Sequence, residues 1–447
     1  MTPEAVSHLQ RVLERAVRIL RIGAMLNGAL AGLILLLGII GALRIFPDVF
    51  ATLHRILLFN TSAADDAALT GAAMLALLNL SLLLVLGVGT LAREIWTPAA
   101  MVLLALANFG ALIGLGYTPA PITIVTTLYA LVVLLRDRTA RGAFRPNPVM
   151  IKELRGRMRG VRAFVVLTVY LSLMGGFAML LYLIYSTAGR DPGSAAAGEI
   201  GRVLFNGVFA VELLLIIFIA PAFTAGSITG ERERQTYDLL RTTLLSNASF
   251  VIGKLESALG YVMLLLLAGI PLQAFAFLFG GVSETELVLS LAILVITAVT
   301  LGTIGIYFSA GNERTLNASV RAYSTTLLLL FVVPSLISVI LTVLSGFLFG
   351  VSGLFPYAPL EAVFVYLSHF LTSINPLAAA VSTQNLLVTQ QIAGFYPFTL
   401  SADGTTIPLA SPWINFSILY TAAASILLTL TIRAARRLDE REQPHTV

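Results

Sequence analysis

The chain has 447 residues, of which 57% are hydrophobic and only 11% charged; its net charge is +5 and its mean hydropathy +0.91. Soluble domains carry about 25% charged residues, so this chain lacks the polar surface to cover a water-soluble body of its size, and an integral membrane protein is the class that remains. With no cysteine, disulfides, thiolate metal ligands and cysteine nucleophiles are excluded.

From the N-terminus, residues 5–20 put Leu9, Leu13, Val17 and Leu20 on one helical face, with Arg11, Arg15, Arg18 and Arg21 on the other. That pattern suits a helix lying at a membrane surface. The apolar run Ile22–Leu43 is too long for a signal core and reads as a retained first span. Runs of about 20 apolar residues predict ten spans: 22–46, 70–92, 98–116, 120–135, 163–187, 204–229, 255–280, 287–310, 322–350 and 412–432. The fold class is therefore all-α, a polytopic helical membrane protein. With the N-terminus inside, 24 of the 28 Lys and Arg residues fall on the cytoplasmic side, and only Arg44, Arg55, Arg190 and Arg202 fall outside. Both termini are then cytoplasmic, and the chain is a multi-pass protein of the plasma membrane. Residues 351–411, broken by Pro356, Pro359, Pro376, Pro397 and Pro408, are expected to form short outer or re-entrant helices; two extra spans there would keep the orientation. A composition boundary lies near residue 140. A four-span block, 1–140, precedes a six-span block, 141–447, that opens on a stretch with nine basic residues, 136–162.

Two cytoplasmic segments stand out. In NPVMIKELRGRMRGVR, Asn147 is a suitable N-cap and Pro148 suits the first helical position. Met150, Ile151, Leu154, Met158 and Val161 share an arc of about 100°, with Lys152, Arg155 and Arg159 opposite or flanking, which predicts an interfacial amphipathic helix over 148–160 that also carries Glu153. The simpler alternative is a basic flank that only sets topology. The second segment, GSITGERERQTYDLLRTTLLSNASFVIGKL, packs Glu231, Arg232, Glu233, Arg234, Asp238 and Arg241 between two greasy runs. A helix over about 231–245 would pair Arg234 with Asp238 and Asp238 with Arg241, and line up Tyr237, Leu240 and Leu244. Such a helix is either a docking element or an ordinary solvated loop.

The stretch GERERQTYDLLRTTLLS followed by GKL resembles the cytoplasmic-loop signature of permease subunits of type-2 ABC transporters, matching it at Glu231, Arg232, Glu233, Thr236, Leu239, Leu240, Thr243, Ser246, Gly253 and Lys254. NPVMIKELRGRMRG is similar to the interfacial helix that opens such permeases, and the likeness covers about residues 145–435. Gln235 and Leu245 stand where Gly and Pro are frequent, and the four N-terminal spans lie outside the family core. The resemblance implies half of a transmembrane pore, paired with a second permease copy in a homo- or heterodimer and driven by separate ABC ATPase subunits. ATP and Mg belong to those partners. It makes Glu231, Arg232, Glu233, Thr236, Tyr237, Leu240 and Arg241 the ATPase-docking residues, and Asn147, Pro148, Lys152, Glu153 and Arg155 the interfacial-helix residues, of an exporter working by alternating access.

The chain itself has no phosphate loop. Around Lys254, Ala248 occupies the first Gly position and Leu255 the Ser/Thr position, and Lys152, the only other lysine, sits in MIKEL. ATP hydrolysis is thus expected on another chain and no cofactor on this one. His8, His54, His369 and His445 are scattered, so no metal site is expected, and no nucleic-acid-binding pattern occurs. Glu212 falls within the sixth span, where a charge costs at least roughly 2.5–3.5 kcal/mol unless paired, hydrated or protonated. With Asn206 and Gln273 it is a candidate for the translocation path; polar residues in spans are also common helix–helix contacts. Glu212 underlies the competing reading, an ion-coupled secondary transporter. A polytopic membrane enzyme would want a group of acidic or His residues at the membrane surface, and only scattered ones occur.

Overall fold

The computed structural model describes residues 3–42, 66–115, 119–159, 161–187, 194–237, 246–349, 358–401 and 404–442. In chain order the helices are α1 Pro3–Ala42, α2 Asp66–Ala92, α3 Trp96–Leu115, α4 Pro119–Arg136, α5 Arg138–Arg141, α6 Pro148–Met158, α7 Val161–Thr187, α8 Ser194–Ala225, α9 Thr229–Glu233, α10 Asn247–Leu278, α11 Glu284–Gly311, α12 Thr315–Leu327, α13 Val333–Phe349, α14 Ala358–Thr372, α15 Pro376–Gln390 and α16 Pro412–Glu442. A π-helical turn, Leu328–Val332, lies between α12 and α13, and strands β1 Phe395–Thr399 and β2 Thr406–Ala410 form the one sheet among the described residues. Ten helical segments in these residues are long and apolar enough to cross a membrane; nine overlie the predicted spans, while the first runs Val6–Ile34, taking in the predicted surface helix instead of starting at residue 22. The protein is a polytopic helical membrane protein. Its apolar side chains face outward in ranks: Leu103, Leu106, Phe109 and Ile113 on α3, and Phe164, Val169, Leu173 and Leu180 on α7, are all exposed, as hydrocarbon solvent requires.

The chain divides into two compact units. The first comprises residues 1–147, 332–374 and 392–429; the second comprises 148–331, 375–391 and 430–447. The sequence-based division into blocks 1–140 and 141–447 has no counterpart for the return of 332–374 and 392–429 to the first unit.

In the first unit α1 is one continuous helix of 40 residues. The predicted stripe Leu9, Leu13, Val17 and Leu20 is buried, and Leu9, Leu13 and Leu20 pack with Leu83, Leu86, Met101 and Leu134. The stripe therefore faces other helices and not a lipid surface. It stays in phase with Ala24, Ala31 and Ile34, so one seam runs from Leu9 to Ile34. Polar side chains inside this bundle satisfy one another. Asn79 and Asn108 exchange amide bonds of 2.7 and 3.0 Å, and Asn27 donates to Thr123 Oγ1 at 3.1 Å. Glu94, 1% exposed, accepts from Asn147 Nδ2 at 2.7 Å.

The predicted outer segment contains helices α14 and α15, together with a hairpin that the sequence reading did not anticipate. Proline argues against strands, yet here Pro397 and Pro408 are paired opposite each other. Leu400 N donates to Thr405 O at 2.8 Å, so hydrogen-bonded pairs alternate with pairs such as Pro397–Pro408, where no ladder donor is needed. The ribbon is pinned to α14 by Tyr366 Oη on Pro408 O at 2.8 Å, His369 Nε2 on Ala410 O and Ser401 N on Glu361 at 2.9 Å. Pro334 follows the π-helical turn directly, at the second position of α13. A proline there cannot donate to Leu330 O, and Asn375 Nδ2 supplies that bond at 3.0 Å.

In the second unit α8 is the hub, packed by α7, α10, α11 and α12. Tyr170, Met174, Val208, Tyr261 and Leu265 form one core, and Leu204, Phe205, Ala276 and Val282 another. Helix α10 starts earlier than the predicted span because Ser246 caps it, accepting from Ser249 N at 3.2 Å. At the far end α10 turns into α11 through Gly280 and Gly281, whose φ values of 84° and 80° suit glycine. Ser283 and Glu286 then cap α11 reciprocally.

The Asn79–Asn108 pair gives a direct test of the first bundle. Asn79→Leu strands one buried amide and is expected to cost about 0.6–2 kcal/mol. Asn79→Leu combined with Asn108→Leu recovers most of the loss. Denaturant titration in detergent, followed by tryptophan fluorescence, reads both values.

Candidate functional site

The charged loop lies in the second unit, between α8 and α10. A helix over 231–245 is not what forms. Helix α9 ends at Glu233, and Gln235 adopts φ 57°, the left-handed region. Leu240, Arg241 and the expected pairs of Asp238 lie outside the described residues. The break falls where the family signature has Gly, the residue that takes this conformation without steric cost.

The short helix is held by its charges. Glu231 accepts from Lys254 Nζ at 2.8 Å, and the Thr236 hydroxyl donates to the same carboxylate. Lys254, whose side chain is 3% exposed, also pairs with Glu153 of α6. Glu153 is further bound by Ser257 Oγ at 3.1 Å and by Arg157 at 3.6 Å, and the Arg157 guanidinium lies 5.3 Å from the centre of the Phe223 ring on α8. One ammonium thus joins α6, α9 and α10 between two carboxylates. The neighbouring Arg232 donates to Asn312 O at 2.7 Å and Ala310 O at 3.1 Å, capping the C-terminal end of α11. Glu233 accepts from Thr315 N at 2.7 Å and Thr315 Oγ1 at 2.9 Å, a charged cap on α12. Aromatic rings close the set: Arg232 lies 5.1 Å from the Tyr237 ring centre, Tyr237 packs edge-on against Phe250 at 5.9 Å, and Lys254 lies 5.7 Å from Phe250.

The expected docking residues accordingly divide by direction. Glu231, Arg232, Thr236 and Tyr237 turn inward; Tyr237 is 8% exposed and is not the presented apolar anchor that the sequence suggested. Glu233, Arg234 and Gln235 are exposed and form the tip. On α6, the predicted apolar arc is split. Met150 and Leu154 are part-buried, whereas Ile151, Met158 and Val161 are exposed beside Lys152 and Arg155. The protein-facing side is Val149, Met150, Glu153, Leu154 and Arg157, because the bond to Lys254 rotates the helix toward its carboxylate. Pro148 is exposed at the first position of α6; Asn147 is buried and bonded to Glu94 in the first unit.

Glu212 and Gln273 do come together. Both are 1% exposed, and the Gln273 amide donates to the Glu212 carboxylate. Asn206, six residues earlier and about 120° round the helix, is half-buried and does not join them. Sequence reasoning missed the partnership of Lys254 with Glu153. Lys254 was placed at a loop margin, and the available signal was its rarity as one of two lysines in a chain of 28 basic residues.

Removing the ammonium leaves two inward carboxylates facing each other. Lys254→Met is expected to cost roughly 2–4 kcal/mol, and Lys254→Met with Glu153→Gln and Glu231→Gln to recover part of it, both read by thermal unfolding in detergent. Gln235→Gly relieves the left-handed residue and is expected to stabilise by about 0.5–1 kcal/mol, whereas Gln235→Val destabilises. Compared with protein-family models and with curated proteins, the chain matches none. The function therefore rests on the geometry of this joint and on the residues of the loop.

Proposed function

We propose that the chain is the permease subunit of a type-2 ABC exporter in the cell membrane, worked by separate ATPase subunits that grip the loop at Glu233, Arg234 and Gln235. One observation carries this reading. The loop has an exposed charged tip, while its inner side is bonded to four helical elements at once: α6 and α10 through Glu231 and Lys254, α11 through Arg232 and α12 through Glu233. A solvated loop needs none of these bonds. A handle needs all of them, because a push at the tip must reach the membrane helices without being absorbed by the loop. The resemblance of GERERQTYDLLRTTLLS to the permease signature supports the same reading, as does a chain without its own phosphate loop.

In the proposed cycle, ATP closes the two motor subunits, the tips approach, and α8 and α10 tilt with α6 to expose the pathway on the other side. A second permease copy completes the pore, with both termini in the cytoplasm. Charges at the tip set partner choice and association rate, so binding weakens as salt rises.

Affinity purification from membranes of the native host, followed by mass spectrometry, tests the proposal. The expected result is recovery of a soluble phosphate-loop ATPase, reduced at least tenfold by Arg234→Glu with Gln235→Glu, which change exposed side chains only. ATPase recovery unchanged by these substitutions would overturn the docking assignment. Transport without any ATPase, abolished by Glu212→Gln, would establish the ion-coupled transporter instead.

A further inference from the structure

Helices α8 and α10 run antiparallel and are tied at three levels. Glu231 and Lys254 meet at the loop, Glu212 and Gln273 meet nineteen residues further along each helix, and Arg202 Nε donates to Gly281 O at 3.0 Å near the far end. At 1.5 Å per residue the middle tie is about 28 Å from the loop. The loop tie is the Lys254 ion pair described above, and the far one ends on a backbone carbonyl just past α10. The middle one is enclosed in apolar helices, and it is incomplete. Glu212 Oε1, Gln273 Oε1 and Tyr170 Oη are buried and make no hydrogen bond.

Among the described residues no cation pairs with this carboxyl group. From α7 the facing titratable group is Tyr170. At this level α10 contributes Gln273 and Gly269; its Lys254 is engaged at the loop. The charges of α11 are Glu284 and Glu286 in its first turn, and α15 carries none. On α12, Tyr323 donates to Phe218 O at 2.7 Å, and Arg321 precedes it. Arg202 of α8 itself is spent on Gly281. An ionised carboxylate enclosed in hydrocarbon without a partner costs several kcal/mol or more, and such groups neutralise instead. A metal ion would need several oxygens arranged around it. Here Oε1 is seated on the backbone of Gly269, so close that a Cβ on that residue would stand 1.9 Å from it, and Tyr170 Oη borders the same spot at 3.1 Å. Among the described residues no group of three His, Asp or Glu side chains that could hold a metal ion occurs.

We propose that Glu212, Gln273 and Tyr170 form a proton-binding site inside the membrane helices, with Glu212 the group that takes the proton. The Gln273 amide donates to one carboxyl oxygen and the proton resides on the other, which borders Gly269 together with Tyr170 Oη. The site holds α8 to α10 and α7 while protonated, and it opens to water only where those helices part. This assignment is independent of what grips the loop.

Infrared spectroscopy of the purified full chain in lipid nanodiscs tests it. At neutral pH the protein is expected to show a protonated-carboxyl C=O band that shifts in heavy water, is lost in Glu212→Gln, and is the same in sodium and choline buffers. Gln273→Leu, which removes the donor to the carboxyl group, is expected to keep the band and move it to higher frequency, and this assigns the band even where Glu212→Gln does not fold. A band unmoved by Gln273→Leu, only carboxylate bands in the wild-type minus Glu212→Gln difference, or a band that sodium removes would each overturn the proposal.

Discussion

The second unit depends on a single ammonium. Lys254 stands between Glu153 and Glu231 with almost no exposure, in a chain that keeps nearly all its other charge at helix ends and loops. A charge in that position is stable only with its partners in place, so the position of α10 dictates the rotation of α6 and the seat of α9. The rotation in turn sends Arg157 onto the Phe223 ring and brings Ser257 to Glu153. Helices α6, α9 and α10 are thereby fixed by one side chain. Arg232 and Glu233 extend the fixation to α11 and α12 through backbone atoms at their ends.

Much of the fold was legible because hydrocarbon is an undemanding reader. A run of apolar residues long enough to cross the bilayer is a span whatever its neighbours, and all but the first of the ten segments lie where the runs predict. What periodicity could not decide was the partner of an apolar face. Leu9, Leu13, Val17 and Leu20 make the same stripe whether it meets lipid or α2 to α4, and the structure sends it to the helices. The hairpin was hidden for the opposite reason, since its two prolines argue against strands until they are seen to face each other.

The site was legible in its composition and not in its directions. The loop was marked by its charges, and Glu212 by being alone in a span. Gln235 adopts a left-handed conformation, which no local pattern of the loop announces. Which charges turn inward is a tertiary matter. Glu231 and Arg232 are adjacent in sequence and look equally free for a partner, yet one is claimed by a lysine more than twenty residues away and the other by the carbonyls at the end of a helix some eighty residues on. Nothing in a local window encodes either distance.

The two prolines of the ribbon have one more effect. Because Pro397 and Pro408 face each other at a pair without ladder bonds, the N–H that each position would otherwise point away from its neighbour is missing from both margins. A further strand arriving from another molecule would find a gap in the donor row on either side. Each margin of the ribbon thus offers an arriving strand one donor fewer at its centre, which weakens the pairing of chains crowded in the same membrane.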